Sequence, residues 1–236
     1  MDIVGHRGAC GHAPENTLKS FAKGIELGCQ RVELDVHVSK DGALVVIHDA
    51  TVERTTNGRG AVRDKLLDEI KQLDAGGGER ISTLLEVMDF CRGKVDLQIE
   101  LKAVATPALV AEHLQKHWNP SKAVVTSFNL ALLDEFGEIV PQTPTGLLNR
   151  DPAVAMVDIA LKHRHRWICP RYDVVTPELV DLGHAHNLLI YVYHVNQREH
   201  VGRVIELGVD AIGTDDPQIV AAQLASKSRQ RRAGSE

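Results

Sequence analysis

The chain has 236 residues, 43% of them hydrophobic and 25% charged, with a formal net charge of -5. This is the composition of a soluble globular protein with enough apolar material for one sizeable core. The mild acidic balance points away from nucleic acid and membrane surfaces as partners, and no run approaches the roughly 18 apolar residues of a membrane span.

Met1-Asp2 passes straight into an apolar strand with no basic region or cleavage site, so no signal peptide is expected. That strand, Ile3-Val4-Gly5, delivers His6 and Arg7 side by side. Gly8 breaks it, and Pro14-Glu15-Asn16-Thr17 opens an amphipathic segment. Leu18, Phe21, Ala22, Ile25 and Leu27 recur at near-helical spacing until Gly28 stops the helix. Arg31 to Val38 then alternates, with the apolar set 32, 34, 36, 38 on one face and Glu33, Asp35 and His37 on the other. Two carboxylates two residues apart on one strand face repel each other and call for a positive neighbour. A turn signal, Ser39-Lys40-Asp41-Gly42, leads to a second strand, Ala43 to Asp49. If the turn takes 39–42, Val38 pairs with Ala43, and His48 falls opposite Glu33 on the carboxylate face.

Residues 50–80 are loop-rich around one short helix near 66–73. Strands and helices then alternate regularly. Strands are expected at Val95–Lys102, Ala123–Phe128, Thr145–Leu148, Trp167–Pro170, Leu188–Val195 and Ala211–Thr214, with helices near 82–92 and 107–117 and between the later strands. The last intervening helix is expected to open with an Asn196–Glu199 capping box, and a final short helix to follow Asp215-Asp216-Pro217. Lys227-Ser228-Arg229-Gln230-Arg231-Arg232 reads as part of a basic flexible tail, 227–236, behind a single domain of residues 1–226. Alternating strand and helix at this length predicts an α/β fold, a (β/α)8 TIM barrel, typically about 250 residues. Roughly nine strand stretches are present where eight close a barrel. The surplus one, 43–48, is expected to be a small antiparallel hairpin inserted after the second strand. An open doubly wound sheet is the alternative, but Gly5-His6-Arg7-Gly8 is not a dinucleotide fingerprint. Cys10, Cys29, Cys91 and Cys169 lack metal-ligand spacing and read as reduced thiols of a cytoplasmic protein.

Barrel active sites lie at the C-terminal ends of the strands. The ionisable residues gather there: His6 and Arg7, Glu33 and Asp35, Glu100 and Lys102, with Asp215 after the last strand and His48 brought in by the hairpin. Hard oxygen ligands such as Glu33, Asp35 and Glu100 suit one divalent cation, Mg²⁺ or Ca²⁺, better than zinc. A cation beside Arg7 and Lys102 describes a receptor for a phosphate ester. His6 and His48 supply the base and acid that phosphodiester cleavage needs.

These segments resemble the glycerophosphodiester phosphodiesterase family over nearly the whole chain. The resemblance rests on His6-Arg7-Gly8, Pro14-Glu15-Asn16-Thr17, Glu33-Leu34-Asp35-Val36, Asp41-Gly42, His48-Asp49, Thr55-Thr56-Asn57-Gly58, Glu100-Leu101-Lys102 and Gly208 to Asp215, in this order and spacing. It implies a cytosolic bacterial-type TIM-barrel hydrolase that releases glycerol 3-phosphate and an alcohol from deacylated phospholipids. It also implies His6 and His48 as the acid/base pair, Glu33, Asp35 and Glu100 as metal ligands, and Arg7 and Lys102 on the phosphate. Two departures bear on the alcohol moiety. The aromatic-containing insert common before the family's Pro-Thr-Leu element is missing, since Leu73-Asp74-Ala75 runs through three glycines to Ile81-Ser82-Thr83-Leu84. Tyr193-His194-Val195-Asn196 stands where Trp-Thr-Val-Asn is usual, which offers His194 either to substrate or to the framework. The rival functions are a lysophospholipase D-like relative and a non-catalytic phosphodiester-binding barrel. A lysolipid enzyme would want an apolar rim, for which 4% aromatic residues supply little material. No stable membrane association is expected.

Overall fold

The computed structural model describes residues 1–151 and 156–233, with side chains described as far as 229. Eight parallel strands, β1 (Asp2–Gly5), β2 (Arg31–Val38), β4 (Asp96–Leu101), β5 (Ala123–Ser127), β6 (Thr145–Asn149), β7 (Trp167–Pro170), β8 (Leu189–Val192) and β9 (Ala211–Thr214), pair in sequence. The ring closes where β1 pairs with both β2 and β9. The extra strand, β3 (Leu44–Val46), runs antiparallel on β2. The expected barrel with its hairpin after the second strand is what forms.

The alternation in β2 separates two buried faces. Val32, Leu34 and Val36 point outward into a core with Leu97, Ile99, Leu101 and the helices α1 (Leu18–Glu26), α3 (Leu84–Cys91), α4 (Thr106–His117) and α5 (Leu130–Ile139). A second outer core covers β7 to β9 with α6 (Met156–Lys162), α7 (Pro177–Ala185), α8 (Arg198–Leu207) and α9 (Pro217–Ala233). Each Val, Leu or Ile so buried contributes about 1.5–3 kcal/mol, and this apolar shell holds the polar face of β2 inside the barrel. Glu33 is only 4% exposed and Asp35 1%. The insertion has its own small core of Val45, Ile47, Val52, Val62, Ile70, Ala75 and Ile81, with α2 (Leu67–Lys71) as its helix.

Three details differ from the expectations. The hairpin register is shifted by one residue, with Val38 opposite Leu44 and Val36 opposite Val46. Ser39 N–H donates to Ala43 O at 2.9 Å, so the loop is residues 40–42 with Gly42 left-handed at φ +85°, a three-residue loop in place of the four-residue one. Asn196 does not cap α8; that helix starts from Gln197, which makes no side-chain cap bond. The last helix is long rather than short, and α9 carries the basic stretch from 227 as far as Ala233. Residues 234–236 of the expected tail lie outside the described residues. No helix among the described residues is long and apolar enough to cross a membrane.

Candidate active site

The site begins in the turn that ends β1. Arg7 has φ +48° and Gly8 φ +90°, so the chain leaves the strand abruptly and turns its backbone amides inward. Arg7 N–H donates to Glu33 Oε2 at 2.9 Å. A Cβ on Gly8 would collide with Ser20 of α1, so the close approach requires glycine. The Pro14–Thr17 element serves the same turn: Glu15 accepts from Arg7 at 2.7 Å, Asn16 donates to Asp35 Oδ2 at 2.9 Å, and Thr17 caps α1.

Parallel register builds the carboxylate cluster. Asp35 lies opposite Glu100, and Glu33 opposite Gln98. Ligand oxygens of Glu33, Asp35 and Glu100 all come within 4.8 Å of one another. Lys102 Nζ sits 2.8 Å from Glu100 Oε1 and 3.5 Å from Asp35 Oδ1, and Arg7 Nε 3.4 Å from Asp35 Oδ2. These are the positive neighbours that the strand pattern called for, yet they do not balance the cluster. Three carboxylates face two cations, one of which is shared with Glu15, and Asp35 Oδ1 is buried without a hydrogen-bond partner among the described residues. An all-oxygen donor set with negative charge in excess and an orphaned oxygen fits a hard divalent cation.

The protonation energetics agree. Burial, with Asp35 as the main charge beside it, pushes Glu100 up to about 7, and burial with Asp35 and Glu100 raises Glu33 well above its usual value. Burial works against ionised Asp35 as well, but Lys102 and Arg7 outweigh it and hold that carboxyl low. Raised carboxyl pKa values mean that folding takes up protons between about 4.5 and about 7. That stabilisation is complete below the lower value and is lost as pH rises through the upper one. Buried histidines with lowered pKa values pull stability the other way below about pH 6.5, so the carboxyl share is read as a difference: the gain in melting temperature on adding Mg²⁺ or Ca²⁺ to chelator-treated protein is expected to grow from about pH 5 to about pH 8. Thermal unfolding followed with and without chelator checks this; a gain that shrinks over that range would contradict it.

The two histidines are held alike. His6 Nδ1 lies 2.6 Å from Asp215 Oδ1, and His48 Nδ1 lies 2.6 Å from Asp49 Oδ1. Ionised carboxylates only accept, so each Nδ1 carries the proton and each Nε2 keeps its lone pair in the neutral ring. Burial opposes ionisation of Asp215, but the bond to His6 outweighs it, and Asn196 fixes that carboxylate by donating to Oδ2 at 2.6 Å and accepting from Asp215 N–H at 2.9 Å. This is where the expected helix cap has gone. Arg54 clamps Asp49 at 2.7 and 3.0 Å and reaches Glu15, so the charged chain runs from His48 back to Arg7. His48 reaches the mouth by a route other than strand pairing. Had β3 continued in its observed register, His48 would lie opposite Leu34 on the outer face. The strand ends at Val46 instead, and His37 Nε2 donates to His48 O at 3.0 Å.

His6, Arg7, Glu33, His48 and Glu100 line one cavity of about 160 Å³. Asp35 and Lys102 lie behind it, through their contacts with Arg7 and Glu100. His194 also lines the cavity and stacks on His6 with ring centroids 3.3 Å apart. Burial lowers the His6 pKa, and burial together with the His6 charge depresses that of His194. Phe128, Tyr193, Arg150 and Arg171 are among the other lining residues, with Arg150 over the Phe128 ring at 4.7 Å. The two arginines were not singled out in the sequence, although each directly follows a barrel strand, the position that marks site residues in this fold. The glycine-rich stretch near 76–78 closes through an Asp74–Arg80 bridge and does not line the cavity.

The profile of the Glycerophosphoryl diester phosphodiesterase family matches residues 6–219. The chain is 38% identical over 229 residues to a glycerophosphodiester phosphodiesterase of Caldanaerobacter subterraneus subsp. tengcongensis, covering 92% of this chain and 94% of that one. Its fold is similar to that of an Oleispira antarctica phosphodiesterase solved in complex with the product sn-glycerol-3-phosphate. The TM-score is 0.91 at 28% identity, covering 95% of this chain and 97% of that one. A glycerophosphodiester phosphodiesterase from Agrobacterium tumefaciens str. C58 gives a TM-score of 0.85 at 30% identity, covering 94% and 99%.

Proposed function

Because the chain belongs to the glycerophosphoryl diester phosphodiesterase family, we propose that it hydrolyses glycerophosphodiesters such as glycerophosphocholine and glycerophosphoethanolamine to glycerol 3-phosphate and an alcohol, with His6 and His48 as base and acid. The observation that carries this reading is the matched pair of histidines, each with Nδ1 on a carboxylate, lining the cavity that Glu33 and Glu100 also line. Burial keeps His6 neutral, which suits the base; its Nε2 takes the proton of the attacking water or neighbouring glycerol hydroxyl. The phosphorus–oxygen bond to the alcohol breaks, and the imidazolium form of His48 gives its Nε2 proton to the leaving oxygen. Asp215 and Asp49 keep both rings oriented and stabilise each imidazolium as it forms.

Glu33, Asp35 and Glu100 would hold one divalent cation, Mg²⁺ or Ca²⁺, which when bound neutralises phosphoryl charge and makes the nucleophile more acidic. Arg7 and Lys102 would then turn part of their charge from the carboxylates to the phosphate. The substrate class is also supported by the O. antarctica phosphodiesterase, whose product is sn-glycerol-3-phosphate. Four unpaired cysteines, three of them buried, support a cytoplasmic setting.

A coupled assay for glycerol 3-phosphate tests the proposal. Release from either substrate is expected to stop with chelator and return with one of the two cations. Folded protein that releases none, with either cation present, would overturn it.

A further inference from the structure

The turn after β1 also presses a thiol against the first histidine. Cys10 N–H donates to His6 O at 3.4 Å, closing one turn of chain, and Cys10 Sγ lies 3.7 Å from His6 Nδ1. That nitrogen already holds Asp215 Oδ1 at 2.6 Å, which brings the carboxylate close to the thiol as well. A nitrogen, a sulfur and an oxygen thus lie within 4.8 Å of one another. We propose that His6, Cys10 and Asp215 form a second cation site, selective for soft metals such as Zn²⁺, whose occupation shuts the enzyme off by seizing the base.

The donor chemistry separates this site from the carboxylate cluster. Thiolate and imidazole select zinc-like ions, whereas three carboxylates select Mg²⁺ or Ca²⁺. With zinc bonds of about 2.0–2.3 Å, tetrahedral donors stand roughly 3.3–3.6 Å apart. The sulfur–nitrogen spacing nearly meets this already. The shorter nitrogen–oxygen spacing opens once the shared proton leaves. One proton goes to solvent on binding, from the Cys10 thiol; the His6 Nδ1 proton is relocated to Nε2, so the ring stays neutral but loses the lone pair that a base needs, and Asp215 needs to lose none. Water supplies the fourth ligand, and entry is open because Cys10 is half-buried and the Asp215 side chain is 34% exposed. Burial pushes the thiol pKa up, so Cys10 is an inert neighbour until a metal displaces its proton. The other three cysteines are buried. Once zinc holds Nδ1, Asp215 no longer accepts its proton and the ring ceases to be a useful base. Inhibition rests on the catalytic role proposed for His6, whereas binding does not.

The whole protein, held in saturating Mg²⁺ or Ca²⁺, is titrated with Cd²⁺ while the ultraviolet thiolate-to-Cd²⁺ charge-transfer band is followed. Zinc inhibition of glycerol 3-phosphate release is measured in parallel. The band is expected to saturate at one equivalent and to vanish in both Cys10→Ser and Cys10→Ala, but to survive in Cys29→Ser. Zinc inhibition should resist added Mg²⁺ or Ca²⁺ and weaken at least about tenfold in the Cys10 variants, the low end of what loss even of an outer-shell partner costs a metal site. No band in the wild type, or a band that persists without Cys10, overturns the site. Zinc inhibition that Mg²⁺ relieves and Cys10 does not affect also overturns it, by placing zinc on the carboxylates. A Cys10-dependent band without inhibition overturns the shut-off, and the kinetics of His6→Ala decide separately whether His6 is the base.

Discussion

His6→Ala is expected to lower kcat by about a thousandfold while leaving KM and cation affinity within a few-fold of wild type, since a positioned acid or base contributes about 10²–10⁴. The loss should fall on kcat because His6 touches none of the three carboxylates in any described hydrogen bond; its ring is spent on Asp215 and on the stack with His194. His48→Ala is expected to show a loss of similar size. His6 is 8% exposed, so its removal leaves a small cavity, and His6→Gln serves as the control that fills it. Steady-state kinetics with a melting curve for each variant checks the prediction. Near wild-type kcat in either alanine variant would remove that histidine from the chemistry.

Glu100→Gln is expected to raise the Mg²⁺ or Ca²⁺ concentration needed for half-maximal activity at least about tenfold, with partial recovery at excess cation. The same substitution should raise the melting temperature of chelated protein at about pH 8. Burial and Asp35 make the Glu100 charge costly, and glutamine keeps the shape without that charge. Activity and metal-free stability thus move in opposite directions, which a merely structural Glu100–Lys102 ion pair would not produce. Metal titrations of activity and chelated melting curves test both halves. Unchanged metal dependence would remove Glu100 from the ligand set.

Most of the site was legible because period-two patterning is a local property. Arg31 to Val38 shows its two faces without help from any other segment, and the same reading extends to Glu100 and Lys102. The apolar face packs under helices and the polar face lines the barrel, an assignment that follows once the fold is known. His48 marks the limit of such reasoning. Its expected position rested on a loop of four residues, and a left-handed Gly42 made it three. The side chain still reaches the mouth, by leaving the sheet. The partner of His6 was beyond local pattern altogether, since Asp215 lies 209 residues away and meets it only because β9 closes on β1. Asn196 misled for a related reason. Its side chain suits a helix cap, but a nearby carboxylate that needs a donor competes for it.

The proposed chemistry needs one cation on Glu33, Asp35 and Glu100 with the scissile phosphate between two histidines. A crystal structure with Mn²⁺ and glycerol 3-phosphate, phased to show anomalous scattering, tests it most directly. One peak within coordination distance of all three carboxylates, with a phosphate oxygen beside it and Nε2 of His6 and His48 within hydrogen-bond reach of the phosphate, is the predicted result. A peak elsewhere, or a phosphate bound away from both histidines, would rule this arrangement out.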